Sequence, residues 1–174
     1  MKHSVIVAAK LSLALLVLAS LGVAKTRNVK TAIKNTEGKT IGWAMVKPAG
    51  QGVEITLTLT DLAPGAHAVH IHQNASCDAP DFKSAGSHFN PENKQHGLQN
   101  PDGPHAGDLS NFNVDSKGKA NVSIFAKNVD LGDDSHSLFS NGGTAIVVHA
   151  KPDDMKTDPA GNAGDRIACG VIKK

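Results

Sequence analysis

The stretch Val53-Glu54-Ile55-Thr56-Leu57-Thr58-Leu59-Thr60 alternates aliphatic and polar side chains at a strict period of two. In an extended chain successive side chains point to opposite faces. Val53, Ile55, Leu57 and Leu59 therefore line one face, and Glu54 with the three threonines lines the other. The spacing predicts a half-buried strand with one side on a core. Working outward, weaker strand patterns occupy Val29 to Ile33, Thr40 to Val46, His67 to His72, Ala120 to Phe125, Thr144 to His149 and Ile167 to Ile172. Gly, Pro, Asn or Asp bounds most of them, and no long amphipathic helix competes. Short strands separated by turns predict an all-β, antiparallel sandwich or barrel of one domain, without repeats.

The composition narrows what such a fold can do. The 174 residues suit about one domain, and only Trp43 and five Phe are aromatic, against 17 Gly and 9 His. The core must be aliphatic, and with so few rings a base-stacking surface for single-stranded nucleic acid is not expected. Lys2 and Lys10 precede an apolar run, Leu11 to Leu21, that ends in Gly22-Val23-Ala24. A charged start, a short apolar stretch and a small final residue predict a signal peptide over 1–24 and a mature domain over 25–174. A spanning helix needs about 20 apolar residues, so no stable membrane insertion is expected after cleavage. The chain carries 18 Lys+Arg and 16 Asp+Glu, and losing Lys2 and Lys10 brings the two into balance. Such neutrality disfavours general polyanion binding, and no nucleic-acid partner is expected. Export to a periplasm or the cell exterior places Cys77 and Cys169, the only cysteines, where they are expected to form a bridge. Closing so long a segment stabilises by about 4 to 5 kcal/mol in the chain-entropy model.

Two stretches break the strand rhythm, Gln73 to Lys117 and Ala150 to Asp165, both rich in Gly, Pro, Asn and Asp. A long irregular segment inside one domain is usually functional, and something other than an apolar core is expected to hold it. The histidines gather there and at strand ends: His70 and His72, then His88, His96, His105, and His149 after Ile146-Val147-Val148. Residues i and i+2 of a strand share a face, so His70 and His72 can offer two imidazoles to one ion. Nitrogen-rich sets of this kind suit copper(II) and also zinc. His96, His105 and Asp108 form a mixed nitrogen and oxygen set suited to zinc, with a carboxylate to offset charge.

These residues lie in blocks that carry a family likeness. Gly65-Ala66-His67-Ala68-Val69-His70-Ile71-His72, Gly86-Ser87-His88-Phe89-Asn90-Pro91, His96-Gly97, His105-Ala106-Gly107-Asp108-Leu109, Val147-Val148-His149 and Gly161 through Gly170 stand in order. In them the chain resembles the copper/zinc superoxide dismutases, of the exported bacterial type, over nearly all of residues 28 to 172. The resemblance implies a Greek-key antiparallel β-sandwich or flattened barrel of about eight strands with two long functional loops. It implies copper on His70, His72, His88 and His149, and zinc on His88, His96, His105 and Asp108, with His88 shared. It further implies an outer carboxylate, Asp153, joining His70 to His96, a buried His67 behind the site, the Cys77 to Cys169 disulfide, and Arg166 as the cation beside copper. The implied reaction dismutes superoxide to dioxygen and hydrogen peroxide, with Arg166 and His88 as the catalytic residues, and monomer and homodimer both stay open.

The chain departs from the family in places. Val69 stands where many members have Phe and Gln73 where many have Glu, and only 12 residues separate Asp153 from Arg166. Two other classes fit parts of the pattern. A metal-buffering module would need no Arg166 and would favour Cys- or Met-rich copper sites. A zinc hydrolase would need an open zinc, a general base and a substrate pocket, which the sequence does not display.

Overall fold

The computed structural model describes residues 28–174. The signal-peptide expectation for 1–24 therefore lies outside the described residues. Among the described residues nine strands follow in chain order: β1 Val29–Asn35, β2 Thr40–Ala49, β3 Gly52–Leu59, β4 Gly65–His67, β5 Val69–His72, β6 Phe112–Val114, β7 Ala120–Ala126, β8 Thr144–His149 and β9 Arg166–Ile172. Seven form one antiparallel sheet in the order β5-β8-β9-β1-β2-β3-β7, and β4 pairs with β6 in a second. After β3 the chain crosses to β5 at the far end, returns to β7 beside β3, and crosses again to β8. Those crossings make the sheet a Greek-key sandwich curled toward a flattened barrel, as the resemblance implied.

The period-two stretch becomes β3, with Val53, Ile55, Leu57 and Leu59 buried and Glu54 and Thr58 exposed. Burying each of those four side chains stabilises by about 1.5 to 3 kcal/mol. β3 pairs with β2 on one side and β7 on the other, Leu57 standing between Ala44 and Val122. The core is aliphatic as expected, with Ile33, Ile41, Val46, Ile124, Ile146 and Val148 packed against that face. Trp43 stays outside it, with Lys30 Nζ 4.4 Å from its ring centroid.

Two expectations are corrected. The strand read over His67 to His72 is two strands, because Ala68 steps from one sheet to the other: its N–H donates to Lys151 O and its carbonyl accepts the His149 N–H, each at 2.9 Å. The stretch Gln73 to Lys117 is not wholly irregular, since it holds β6 and a short 3₁₀ turn, Lys83–Ala85. Nor does it lack apolar anchors. Phe82, Phe89, Ala106, Leu109, Phe112 and Val114 are all buried.

β5 is buried at all four positions. Val69 and Ile71 belong to the main core, whereas His70 and His72 lie on the opposite face. The long loop covers that face and takes the strand's free edge: Ile71 N–H donates to Gly107 O at 2.9 Å and Phe89 N–H to Ile71 O at 2.8 Å.

Candidate metal centre

β5 and β8 are paired so that Val69 faces Val148 and His70 faces Val147. This register sets His149, at the end of β8, near the β5 histidines, and the β8–β9 pairing sets Arg166 opposite His149. Bridges from His72 to His88 and from His70 to Asp108 bring the loop residues over the same place. His70, His72, His88 and His149 each present a donor atom within 4.8 Å of the others, all four buried. The ring centroids of His70 and His88 are 4.1 Å apart, and those of His72 and His88 are 4.9 Å apart.

In each of these rings one nitrogen is held and the other is left over. His70 Nε2 donates to Asp153 Oδ2 at 2.8 Å, His72 Nδ1 to Gly86 O at 2.9 Å, and His149 Nδ1 to Gly164 O at 3.3 Å. Donating one N–H to a fixed acceptor sets the tautomer and leaves a lone pair on the other nitrogen. Those others, His70 Nδ1, His72 Nε2, His88 Nε2 and His149 Nε2, are buried without a hydrogen-bond partner. Four orphaned imidazole nitrogens in one place are costly unless an electrophile sits among them. The donor set fits a copper ion, for which imidazole is a preferred ligand.

A second group gathers round one carboxylate oxygen. Nδ1 of His88, His96 and His105 lie 2.9, 3.0 and 3.2 Å from Asp108 Oδ1, while Asp108 Oδ2 accepts the N–H of Gly97 and of His105. Three imidazoles and a carboxylate suit zinc. By proximity alone His70 also groups with His88, His96 and Asp108, but its Nε2 is committed to Asp153 and its Nδ1 belongs to the first set, so His105 completes the second. His88 alone turns one ring nitrogen to each group.

Asp153 joins the two groups, because the second nitrogen of His96 reaches Asp153 Oδ1 at 3.0 Å while His70 holds Oδ2. Gly161 has φ +61°, and a Cβ there would come within 1.7 Å of Asp153 Oδ1. Only glycine fits. His67 is buried behind the site, with Nδ1 2.8 Å from His149 O and Nε2 2.8 Å from Ala63 O. Arg166 is half-buried, its guanidinium donating to Phe82 O and Gly86 O. The disulfide between Cys77 and Cys169 is present, Cα to Cα 5.7 Å, and joins the long loop to β9. His136 stands apart at the surface beside Glu92. A groove of about 480 Å³ runs past Arg166, lined also by Asp81, Lys83 and Asp165.

Sequence reading missed three contributors. Asn111 clasps Asp153 from both sides, its Nδ2 donating to Asp153 O and its Oδ1 accepting the Asp153 N–H, each at 2.9 Å. Asp158 accepts the backbone N–H of His96 at 2.7 Å. The carbonyl of Gly86 serves both His72 and Arg166. Asn111, three residues after Asp108, carried a weak signal, and a backbone carbonyl carries none.

The electrostatics of the two groups differ. Burial pushes His88 and His149 down to about 4, and it lowers His70 and His72 as well. Burial works against a charge on His96 too, but Asp108 and Asp153 outweigh it and lift that ring to about 9. Burial likewise opposes ionisation of Asp108, yet hydrogen bonds from His105, His88 and His96 hold it well below the carboxylate range.

The comparisons with known proteins agree with one another. Residues 22–172 match the family model described as copper/zinc superoxide dismutase (SODC). A relative from Aquifex aeolicus named superoxide dismutase [Cu-Zn] 1 is 50% identical over 159 residues, covering 90% of this chain and 94% of its own. The crystal structure of a SOD-like protein from Bacillus subtilis superposes with TM-score 0.80 at 39% identity, over 82% of this chain and 97% of that one. A Cu/Zn superoxide dismutase from Brucella abortus gives TM-score 0.69 at 27% identity, over 84% of this chain and all of that one.

Proposed function

We propose, from the premise that the chain belongs to the copper/zinc superoxide dismutase family, a division of work among its residues. The protein is an oxidoreductase that dismutes superoxide to dioxygen and hydrogen peroxide, with copper and zinc as its cofactors. When bound, copper supplies one-electron chemistry between Cu(II) and Cu(I), and zinc supplies a fixed positive charge that needs no redox change.

In this reading His70, His72, His88 and His149 hold copper, and His88, His96, His105 and Asp108 hold zinc. The observation that carries it is the position of His88, whose Nε2 is orphaned among the first set while its Nδ1 faces Asp108 in the second. His88 is then the shared ligand, and its Nε2 holds and releases the proton that the product needs. Asp153 fixes His70 and His96 together, and His67 fixes the backbone of His149. Arg166 stays charged and gives an anion a local attraction in a mature protein of balanced net charge. Superoxide is small, so no organic pocket is needed. A zinc hydrolase is disfavoured because the zinc-set side chains are buried and four of them, with His88 shared, would fill a tetrahedral zinc and leave no open position for a substrate water.

Substituting cobalt(II) for zinc tests the shared ligand. One imidazolate between two paramagnetic ions couples their spins, so the copper(II) signal in electron paramagnetic resonance should collapse in the copper and cobalt protein. A full, unperturbed copper signal at complete cobalt occupancy would remove His88 as the bridge.

Residues 1–24 form a signal peptide in the same proposal, removed after Ala24 and leaving the 25–174 domain in a periplasm or outside the cell. The Cys77–Cys169 disulfide supports an oxidising compartment, and among the described residues no helix is long and apolar enough to cross a membrane. The intact mass of the protein recovered from the envelope and medium decides it: a chain that retains Met1 overturns the assignment.

A further inference from the structure

Arg166 is held by two carbonyl oxygens of one short loop, Phe82 O on Nη1 and Gly86 O on Nη2, each at 2.8 Å. The loop reaches that position through an unusual residue. Phe82 has φ 54° and ψ 22°, a left-handed conformation that a bulky side chain rarely adopts and that glycine takes freely. Its ring is nevertheless 1% exposed, packed with Ala85, Ala145, Val147 and Cys169, and with Cys77 partly buried beside them. If the turn alone mattered, glycine would serve better at this position. An aromatic ring kept there against its conformational preference points to a job for the ring.

The local bonding shows what that job is. Phe82 N–H donates to Asp78 O at 3.0 Å, and Phe82 O accepts the Ala85 N–H at 3.1 Å besides Arg166. The left-handed turn lets one residue bury its ring beside the disulfide and still offer its carbonyl to the guanidinium. Cys77 ties the loop to β9 five residues upstream, with the exposed Asp78, Pro80 and Asp81 between. We infer that Phe82 is a positioning residue for Arg166, its ring and the Cys77–Cys169 bridge forming a two-point anchor that aims the guanidinium at an incoming anion. This rests on the reading of Arg166 as the anion guide. The same anchor steadies Gly86 O, which also accepts from His72 Nδ1.

Azide, a small anion that ligates copper(II) and is not dismuted, tests the inference by optical titration of the copper- and zinc-loaded parent, Phe82→Ala, Arg166→Ala and the double variant. Arg166→Ala should weaken azide binding about tenfold, and Phe82→Ala about threefold or more, with no further loss when added to Arg166→Ala. Phe82→Leu, which restores a buried aliphatic side chain, should return the affinity to within about twofold of the parent. Parent-like affinity in Phe82→Ala beside a weakened Arg166→Ala overturns the role of Phe82 and leaves the guide standing. Parent-like affinity in Arg166→Ala overturns the guide and the inference together, and additive losses show that Phe82 does not act through Arg166. Should Phe82→Ala fail to fold, the unmutated zinc-only protein supplies the decision. A held guanidinium gives separate Nη1 and Nη2 resonances by NMR, which must merge over the temperature range where the Phe82 amide loses protection. Merged resonances while that amide stays protected overturn the inference.

Discussion

The donor groups proposed above for copper and for zinc both include His88, yet they rest on different foundations. Three of the four copper-side rings stand on strands, His70 and His72 on β5 and His149 at the end of β8, and each is aimed by a hydrogen bond from its second nitrogen. Beyond His88, the zinc side is His96, His105 and Asp108, all on the long loop and drawn together by one carboxylate oxygen. The first is a rigid, neutral set of lone pairs. The second is a charged cluster whose members already pair with one another. Strand register can prepare a site by geometry alone, whereas a loop needs charge to hold its ligands until the ion arrives.

The sharpest way to separate the two is His149→Ala. It removes a strand-borne nitrogen from the copper side only, so superoxide consumption should fall by about a thousandfold or more while zinc stays at full occupancy. Elemental analysis on the same samples checks this, and a parallel loss of zinc would mean that the two sides are one folding unit. Hydrogen exchange in the metal-free protein probes the foundations themselves. The amides of His96, Gly97 and Gln99, bonded to Asp158, Asp108 and Met155, should exchange at least about a hundredfold faster than those of Ile55 and Leu57. Phe89 and Gly107, paired to β5 or to each other, should stay closer to the strand values. Uniform protection across both sets would end the distinction between strand-built and loop-built sides.

Asp153→Asn tests the one carboxylate common to both. Loss of an outer partner typically costs about 10- to 100-fold in metal affinity, and competition titrations should show the larger loss for zinc, because the charge on Asp153 also supports His96. Equal losses would make Asp153 an orienting group only. The smallest effect concerns protons. His96, lifted to about 9, carries a proton at neutral pH that zinc must displace, whereas His88 and His149, near 4, carry none. Zinc affinity of the metal-free protein should therefore rise about tenfold per pH unit up to about 9, and copper affinity should stay nearly flat above 4. Calorimetry in buffers of different ionisation enthalpy measures the proton count directly, and equal proton release for both metals would refute the charge asymmetry.

The same contrast explains what could be read from the chain. His70 and His72 were legible because a pleated strand imposes a spacing of two, and the alternation from Val53 to Leu59 was legible for the same reason. β6 was not, because three residues between Asn111 and Asp115 are too short to establish a period. His96, His105 and Asp108 stood out by residue type and by likeness to a family, not by any pattern that a loop must obey. Part of what orients the two groups is main chain: Gly86 O on His72, Gly164 O on His149 and the N–H of Gly97 on Asp108 have no side-chain signature. Phe82 looked like one more apolar residue in a loop, since a left-handed backbone angle leaves no trace in an aromatic letter.

β5 carries a consequence of another kind. Val69 and Ile71 face the aliphatic interior while His70 and His72 face the covering loop, so a single strand serves as the partition between a hydrocarbon compartment and an ionic one. The partition is incomplete, because Phe89, Ala106 and Leu109 of the covering loop, next to His88, His105 and Asp108, also belong to the aliphatic core and couple the two compartments. For a protein engineer the wall is also a warning: sliding β5 by one residue against β8 would exchange the contents of the two rooms at once.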